Sequence, residues 1–165
     1  MVKYYSTNVV FEEIPDMVTL AIEITNCPGH CEGCHSPWLR EDIGEELTIE
    51  VLESLIKKND GVNCVCFMGE GNDPEGLKKL AEYVKSRNSV PYVTALYSGR
   101  EDVEKDYDKC FDFIKVGPYI AECGPLNKET TNQRLYKINK LYDPETYYPN
   151  RWIREDITYK FWKRQ

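Results

Sequence analysis

The chain has 165 residues, of which 41% are hydrophobic and 30% are charged, and its formal net charge is -7 at pH 7. This length and composition are typical of one soluble domain with its own core, and the negative charge argues against nucleic acid as a partner. No apolar run reaches the roughly 18 residues of a membrane span, and the first residues lack the apolar stretch of a secretory signal. We therefore expect a cytoplasmic protein with no membrane or nucleic-acid partner.

Strands and helices alternate in the predicted order of elements. Alternating apolar residues predict a strand over residues 17–24. An N-cap at Thr48, followed by apolar residues at helical spacing, predicts a helix that stops at Asn59. A short apolar run predicts a buried strand over residues 62–68, and Pro74 suits the first turn of a second helix. This order indicates an α/β protein.

The alternation continues and then weakens towards the C-terminus. Residues 90–97 and 111–116 are predicted strands, with a short acidic helix over residues 101–108 between them. Such an order predicts a parallel sheet with right-handed crossovers, in which ligands bind beyond the carboxyl ends of the strands. Residues 132–136 would open one more strand, and residues 142–165 form an irregular aromatic and basic tail.

Three cysteines with the spacing C-x3-C-x2-C directly follow the first predicted strand: Cys27, Cys31 and Cys34. Cytoplasmic thiols stay reduced, and an odd count of seven cysteines cannot pair fully, so this group indicates a metal or catalytic site rather than disulfides. Iron–sulfur clusters are held by cysteine thiolates, usually four. Three thiolates would bind three irons of a four-iron cluster and leave the last iron open, as a catalytic metal site requires.

Other interpretations of the cysteines stay open. Zinc would take these three with His30 or His35 as a closed four-ligand site, and the protein would then be an interaction module without catalysis. An inert structural role is disfavoured because buried structural cysteines rarely crowd a loop rich in glycine and proline. Cys64 and Cys66, in contrast, alternate along a strand, which predicts two small buried hydrophobic side chains on one face.

The cysteine loop resembles the cluster loop of the radical S-adenosylmethionine superfamily, and the run Cys-His-Ser-Pro from Cys34 is similar to the Cys-His-Asn-Pro stretch of glycyl-radical-enzyme activases. The resemblance implies a 4Fe-4S cluster whose ligands Cys27, Cys31 and Cys34 form the catalytic metal site, with S-adenosylmethionine at the open iron. It also implies a single domain over residues 1–165 with its cluster loop at residues 25–40. The expected fold is a partial, incomplete parallel-stranded barrel of the radical S-adenosylmethionine type, since a full barrel needs roughly 250 residues.

The same resemblance implies further contacts with the cofactor, made by Gly33, Cys34, His35, Gly69, Glu70, Asp73 and Ser98. The backbone of the first three would face the adenine. The carboxylate of Glu70, or of Asp73 in a second register, would accept the methionine amino group. Ser98 lies in a segment similar to the Tyr-Thr-Gly turn of the activases and would approach the ribose or the sulfonium. Taken alone, these segments also fit plain turns between strand and helix.

Two segments near the end of the predicted sheet narrow the resemblance. Residues 116–119 (Val-Gly-Pro-Tyr) and 132–134 (Asn-Gln-Arg) resemble segments of anaerobic ribonucleoside-triphosphate reductase activating proteins, with Val116 in place of that family's aspartate. This implies an enzyme that reductively cleaves S-adenosylmethionine and generates a glycyl radical on the glycyl radical subunit of that reductase, with a one-electron donor such as flavodoxin. The alternative is a small radical enzyme with another glycyl-radical partner or a metabolite substrate.

Overall fold

The computed structural model describes residues 1–29, 31–87 and 92–162, so His30 and the first two residues of the strand predicted over 90–97 lie outside the described residues. The helices and strands are, in chain order, β1 (Lys3–Val10), β2 (Thr19–Ile24), β3 (Glu45–Glu46), α1 (Ile49–Lys58), β4 (Cys64–Met68), α2 (Pro74–Ser86), β5 (Val93–Tyr97), β6 (Phe113–Val116), β7 (Arg134–Tyr142) and β8 (Pro149–Asp156). Short 3-10 helices lie at Pro37–Arg40, Lys105–Lys109 and Thr158–Phe161.

These strands form one open eight-stranded sheet in the order β3-β1-β2-β4-β5-β6-β7-β8. The central strands β2, β4, β5 and β6 are parallel neighbours, whereas the flanking strands are antiparallel to those beside them. The predicted α/β class is confirmed, and the parallel order holds for the centre of a mixed sheet. Because the central strands run in one direction, the loops after their carboxyl ends meet at one edge.

The strand predicted to open over residues 132–136 is confirmed as β7, whereas the flanking strands β1 and β8 were not predicted because neither is a continuous apolar run. β1 reads Lys-Tyr-Tyr-Ser-Thr-Asn-Val-Val and is half exposed along its length. β8 is largely exposed as well, and it lies in the tail predicted as irregular over residues 142–165. That prediction is wrong for β8 and for the 3-10 helix that follows it. Antiparallel strands with one solvated face lack the continuous apolar run that marks a buried parallel strand.

Two of the three predicted helices are confirmed, and so is the N-cap predicted at Thr48. Thr48 Oγ1 accepts a hydrogen bond from the Val51 N–H at 3.1 Å and begins α1. Asp73 Oδ1 accepts from the Gly76 N–H at 3.0 Å and begins α2. The apolar stripes that the two helices bury are Leu52, Ile56, Leu77, Leu80, Ala81 and Val84.

No helix in the described part of the chain is long and apolar enough to cross a membrane.

The acidic helix predicted over residues 101–108 is wrong, because the helical turn there is the 3-10 helix Lys105–Lys109. Asp102 Oδ1 accepts hydrogen bonds from the Val103 N–H at 2.8 Å and from Nη1 of Arg154, in β8, at 2.6 Å. Arg154 also forms an ion pair with the buried Asp108 at 2.8 Å. Such side-chain hydrogen bonds compete with a regular α-helix.

The sheet buries residues on both of its faces. A large core lies on the face that α1 and α2 cover. The opposite face carries a smaller cluster formed by Ile14, Cys64, Cys66, Ala95, Phe113, Leu135 and Ile157. The prediction for Cys64 and Cys66 is confirmed, since both side chains are fully buried on one face. Burial raises the pKa of Cys64 to about 12 and the pKa of Cys66 well above its ordinary value, so both thiols stay protonated at neutral pH.

Candidate functional site

The cysteine loop, residues 25–42, begins where β2 ends and is fixed to itself at its base. The Cys27 N–H donates to the Leu39 carbonyl at 2.9 Å, and the Asn26 N–H donates to the Glu41 carbonyl at 3.3 Å. Arg40 Nη2 donates to the Cys31 carbonyl at 2.9 Å. These bonds hold the backbone of the loop closed over the carboxyl edge of the sheet.

The structure brings the three predicted ligand cysteines together. Cys27, Cys31 and Cys34 are free and half-buried, and all three line one small cavity of about 90 Å³. Met68 and Gly69, at the end of β4, line the same cavity. The Ser36 N–H donates to Cys34 Sγ at 3.4 Å. All three residues are therefore partly accessible and border the same cavity.

The chemistry of the three residues, cysteine thiols, is the kind that holds iron–sulfur clusters. The described residues contain no group of three or more His, Cys, Asp or Glu side chains that could hold a metal ion. A four-iron cluster does not need its thiolates on one ion, because each thiolate binds a different iron. His35, a candidate zinc ligand, packs its ring on Tyr119 with 5.3 Å between the ring centroids.

One of the predicted adenine contacts, Gly33, borders a larger cavity. A cavity of about 480 Å³ is lined by Glu32, Gly33, Tyr119, Ile120, Ala121 and Glu122. Gly33 has a φ of 73°, and a Cβ added there would lie 3.6 Å from the Tyr119 ring. Tyr119 therefore packs on both Gly33 and His35, a contact between distant segments that sequence reasoning missed.

Glu70, predicted to accept the methionine amino group, already has partners. Arg100 binds it through two hydrogen bonds, Nη2 to Oε1 at 2.7 Å and Nε to Oε2 at 2.9 Å. The Ser98 hydroxyl also donates to Glu70, so the predicted contacts Glu70 and Ser98 lie together. Arg100 Nη2 reaches Glu104 at 2.8 Å as well, and this pairing lowers the pKa of Glu104 to about 2.

Asp73, the second candidate acceptor, has a structural task. Its Oδ1 caps α2, and its Oδ2 lies 2.8 Å from the N-terminal amino group of Met1. The hydrogen bond from that amino group is the main reason why the pKa of Asp73 is lowered. Asp73 therefore joins the start of the chain to α2.

The turn between β4 and α2 passes close beneath the cysteine loop. The Gly69 N–H donates to the Tyr97 carbonyl at 2.8 Å. Gly71 has a φ of 62°, and a Cβ there would lie 3.0 Å from both Ile24 Cγ2 and the Thr25 carbonyl oxygen. Only glycine fits that close approach. A cleft of about 440 Å³ then separates Pro28 of the cysteine loop from the Glu70–Arg100 pair.

Lys115 is a buried charged residue that the sequence reasoning missed. It lies within β6, and its side chain is on the face opposite the helices, where Tyr97 lies beside it in register. Burial lowers the pKa of Lys115 to about 8, while Cys31 and Cys66 act in the opposite direction. The signal was present in the sequence as a lone cation in an apolar strand.

Comparisons with known proteins gave no relative. No family model matches the chain, and no curated protein and no solved structure matches it either. The function must therefore be inferred from the chemistry of the residues at the carboxyl edge of the sheet.

Proposed function

We propose that this protein is a radical S-adenosylmethionine activase that acts on anaerobic ribonucleoside-triphosphate reductase. The observation that carries the proposal is the common cavity lined by three free cysteines, Cys27, Cys31 and Cys34, where the parallel central strands end. Three thiolates without another protein ligand suit a four-iron cluster with one open iron. In this proposal the open, mixed sheet is an incomplete barrel of the radical S-adenosylmethionine type.

A cluster held by Cys27, Cys31 and Cys34 would supply one electron to the sulfonium of S-adenosylmethionine, whose carbon–sulfur bond would break to give methionine and a 5′-deoxyadenosyl radical that takes a hydrogen atom from a glycine of the partner. The chain's own residues bind, orient and shield. Cys27, Cys31 and Cys34 hold the cluster, and the closed base of their loop keeps its position fixed. Met68 and Gly69 form the protein wall of the same cavity.

Recognition of the methionine amino group requires an exchange at Glu70. Its carboxylate is paired with the guanidinium of Arg100, whose side chain is 42% exposed and also bound to Glu104. The incoming ammonium group would replace the guanidinium of Arg100 on the Glu70 carboxylate. Arg100 would remain bound to Glu104. A charged hydrogen bond of this kind is among the stronger ones in proteins.

The adenine would lie beside the backbone of Gly33, Cys34 and His35. The cavity next to Gly33 is bounded on its other side by Tyr119, whose ring offers an apolar surface to a flat heterocycle.

The C-terminal hairpin suits contact with a macromolecular substrate. The β7–β8 hairpin and the turn after it expose Tyr142, Tyr147, Tyr148 and Tyr159. Tyrosine is enriched at protein interfaces because its ring and hydroxyl serve both apolar and polar contacts. A partner as large as the reductase subunit would find its docking surface here, while a one-electron donor such as flavodoxin reduces the cluster.

The test combines the anaerobically reconstituted protein with the glycyl radical subunit of the reductase, a reductant and S-adenosylmethionine. We expect a glycyl radical signal in electron paramagnetic resonance and one 5′-deoxyadenosine per radical formed, both absent when S-adenosylmethionine is omitted. Cleavage without a radical on the reductase would contradict the partner and favour another glycyl-radical protein or a metabolite. A colourless protein that binds zinc would contradict the whole proposal.

A further inference from the structure

Lys115 is a buried cation without a carboxylate partner. The residue is 7% exposed. Its Nζ donates to the Gly117 carbonyl at 2.9 Å and to the Ser98 carbonyl at 3.3 Å, and it lies 5.7 Å from the centroid of the Tyr97 ring. Among the described residues, no Asp or Glu lies within 4.0 Å of it.

A charged ammonium group in this buried position lowers the stability of the fold. Burial of an ammonium group disfavours its charged form unless an anion or several hydrogen bonds compensate. Two backbone carbonyls satisfy two of its three N–H groups and leave one N–H without a protein acceptor. Apolar side chains lie on this face, among them Phe113 and Leu135, and Gln133 Nε2 shares the Gly117 carbonyl with Lys115, at 3.3 Å. An unbranched apolar residue would pack here at lower cost, so the charge itself calls for an explanation.

The register of the sheet connects Lys115 to the cysteine cavity. Lys115 pairs with Tyr97, and Tyr97 pairs with Met68, which lines the cavity. Two strand spacings therefore separate the backbones of Lys115 and Met68, or about 10 Å. Cys66, which lies on the same face of the sheet as Met68, is held protonated by burial, so it offers Lys115 no negative charge.

We propose that Lys115 is the counter-charge for the cluster held by Cys27, Cys31 and Cys34 and that it stabilises the reduced form of that cluster. This inference rests on the proposed function. Reduction adds one electron from the external donor, which makes the cluster and its thiolates one unit more negative. A fixed positive charge in a poorly solvated position stabilises the more negative form more strongly, and net charge and hydrogen bonding are what set cluster potentials.

Lys115 acts on the cluster through its charge and does not touch the substrate. The test therefore measures the reduction potential of the cluster rather than a reaction rate. The reconstituted protein is titrated anaerobically between oxidised and reduced cluster, followed by electron paramagnetic resonance, first without S-adenosylmethionine and then with it. The variants are Lys115→Met, which removes the charge, and Lys115→Gln, which removes the charge and still donates to the two carbonyls. The control is Lys85→Met, a half-buried lysine of α2 that faces Asp112, just before the amino end of β6.

Both Lys115 variants should lower the ratio of reduced to oxidised cluster about tenfold at a given applied potential, which is about 59 mV for one electron. Lys85→Met should titrate as the wild type does. If Lys115→Met does not fold, Lys115→Gln decides alone.

Three results would overturn the inference. A wild-type potential in Lys115→Gln would show that the lysine has a packing role only. A shift that appears only after S-adenosylmethionine is added would assign Lys115 to that ligand instead of to the cluster. A wild-type protein that assembles no four-iron cluster would overturn this inference and the proposed function together, whereas the first two results leave the proposed function intact.

Discussion

The two loops that meet at the carboxyl edge of the sheet differ in what their side chains already bind. In the cysteine loop the backbone is fixed by hydrogen bonds, and the three thiols are left half-buried and facing a cavity. In the loop after β4, Glu70 and Asp73 are both engaged, one with Arg100 and the other with the N-terminal amino group and the start of α2.

This difference shows two ways to prepare a binding site. The cysteine loop is ready for addition, because a metal cluster needs free thiolates and replaces no existing ion pair. The carboxylate loop is ready for exchange, because an ammonium group must displace Arg100 before it reaches Glu70. Loss of a donor from the first site should therefore abolish binding of the cluster. Loss of a donor from the second site should only weaken binding of the ammonium group.

The largest effect is expected from Cys31→Ala. Loss of one thiolate leaves the cluster with two protein ligands, so bound iron and cleavage of S-adenosylmethionine should fall to background. The fold should persist, since Cys31 is half-buried in a loop whose base is held by backbone bonds. Iron content, 5′-deoxyadenosine and circular dichroism measure these three properties.

Cys123→Ala is the matched control for that variant. Cys123 is also free and half-buried, and it lies outside the cysteine loop. It should retain both iron and activity. Equal activity in Cys31→Ala and the wild type would remove the cysteine loop from the mechanism.

A smaller effect is expected from Glu70→Ala. In the proposed function Glu70 accepts the methionine amino group, so its removal should weaken S-adenosylmethionine binding about tenfold or more, since a hydrogen bond to a charged group contributes about 1.5–3 kcal/mol. Equilibrium dialysis of labelled S-adenosylmethionine against the cluster-loaded protein measures this. The control is Glu104→Ala, which removes the other carboxylate that Arg100 binds. Unchanged affinity of Glu70→Ala for S-adenosylmethionine would show that this carboxylate does not bind the methionine amino group.

The exchange itself is tested by Arg100→Gln, which should move affinity in the opposite direction. Without the competing guanidinium, Glu70 is free for the ammonium group, and affinity should rise about fivefold. This corresponds to about 1 kcal/mol, the upper range for a partly exposed ion pair. Weaker binding in this variant would show that Arg100 holds Glu70 in place rather than competing for it.

The smallest effect on the ligand is expected from Asp73→Ala, because we assign this residue to the fold. Loss of the α2 cap should lower the free energy of unfolding by about 1 kcal/mol, with unchanged affinity for S-adenosylmethionine. The folded-state pKa of Asp73 lies below its ordinary value of 3.8. The difference in stability between wild type and variant should therefore be constant above pH 3.8 and shrink as the pH falls below it.

Urea unfolding at pH 7 and at pH 3 measures this difference. A loss of affinity in Asp73→Ala at unchanged stability would return the methionine contact to Asp73.

The helices and central strands were predictable because their signals are local. Thr48 and the apolar residues that follow it fix α1 within a few turns of chain, and the buried strand β4 reads as a continuous apolar run. β1 and β8 carry no such signal, because each exposes one face and keeps mostly polar residues there. The cysteine loop was predictable for the same reason as the helices, since all of its donors lie within eight residues of chain.

The state of the predicted carboxylates was not predictable, because it depends on distant partners. Arg100 lies 30 residues after Glu70, and the amino group of Met1 lies 72 residues before Asp73. Nothing in the local sequence shows such pairs. Lys115 was missed for a related reason, since its strand reads as apolar and only the fold shows that the ammonium group is buried against the Gly117 carbonyl.

The most direct test of the cysteine site is the formation of 5′-deoxyadenosine by the isolated chain. The protein is reconstituted anaerobically with iron and sulfide, reduced with dithionite and given S-adenosylmethionine. Our account predicts a brown protein that makes 5′-deoxyadenosine only when both cluster and reductant are present. A colourless protein that binds zinc through Cys27, Cys31 and Cys34 and makes no product would contradict it.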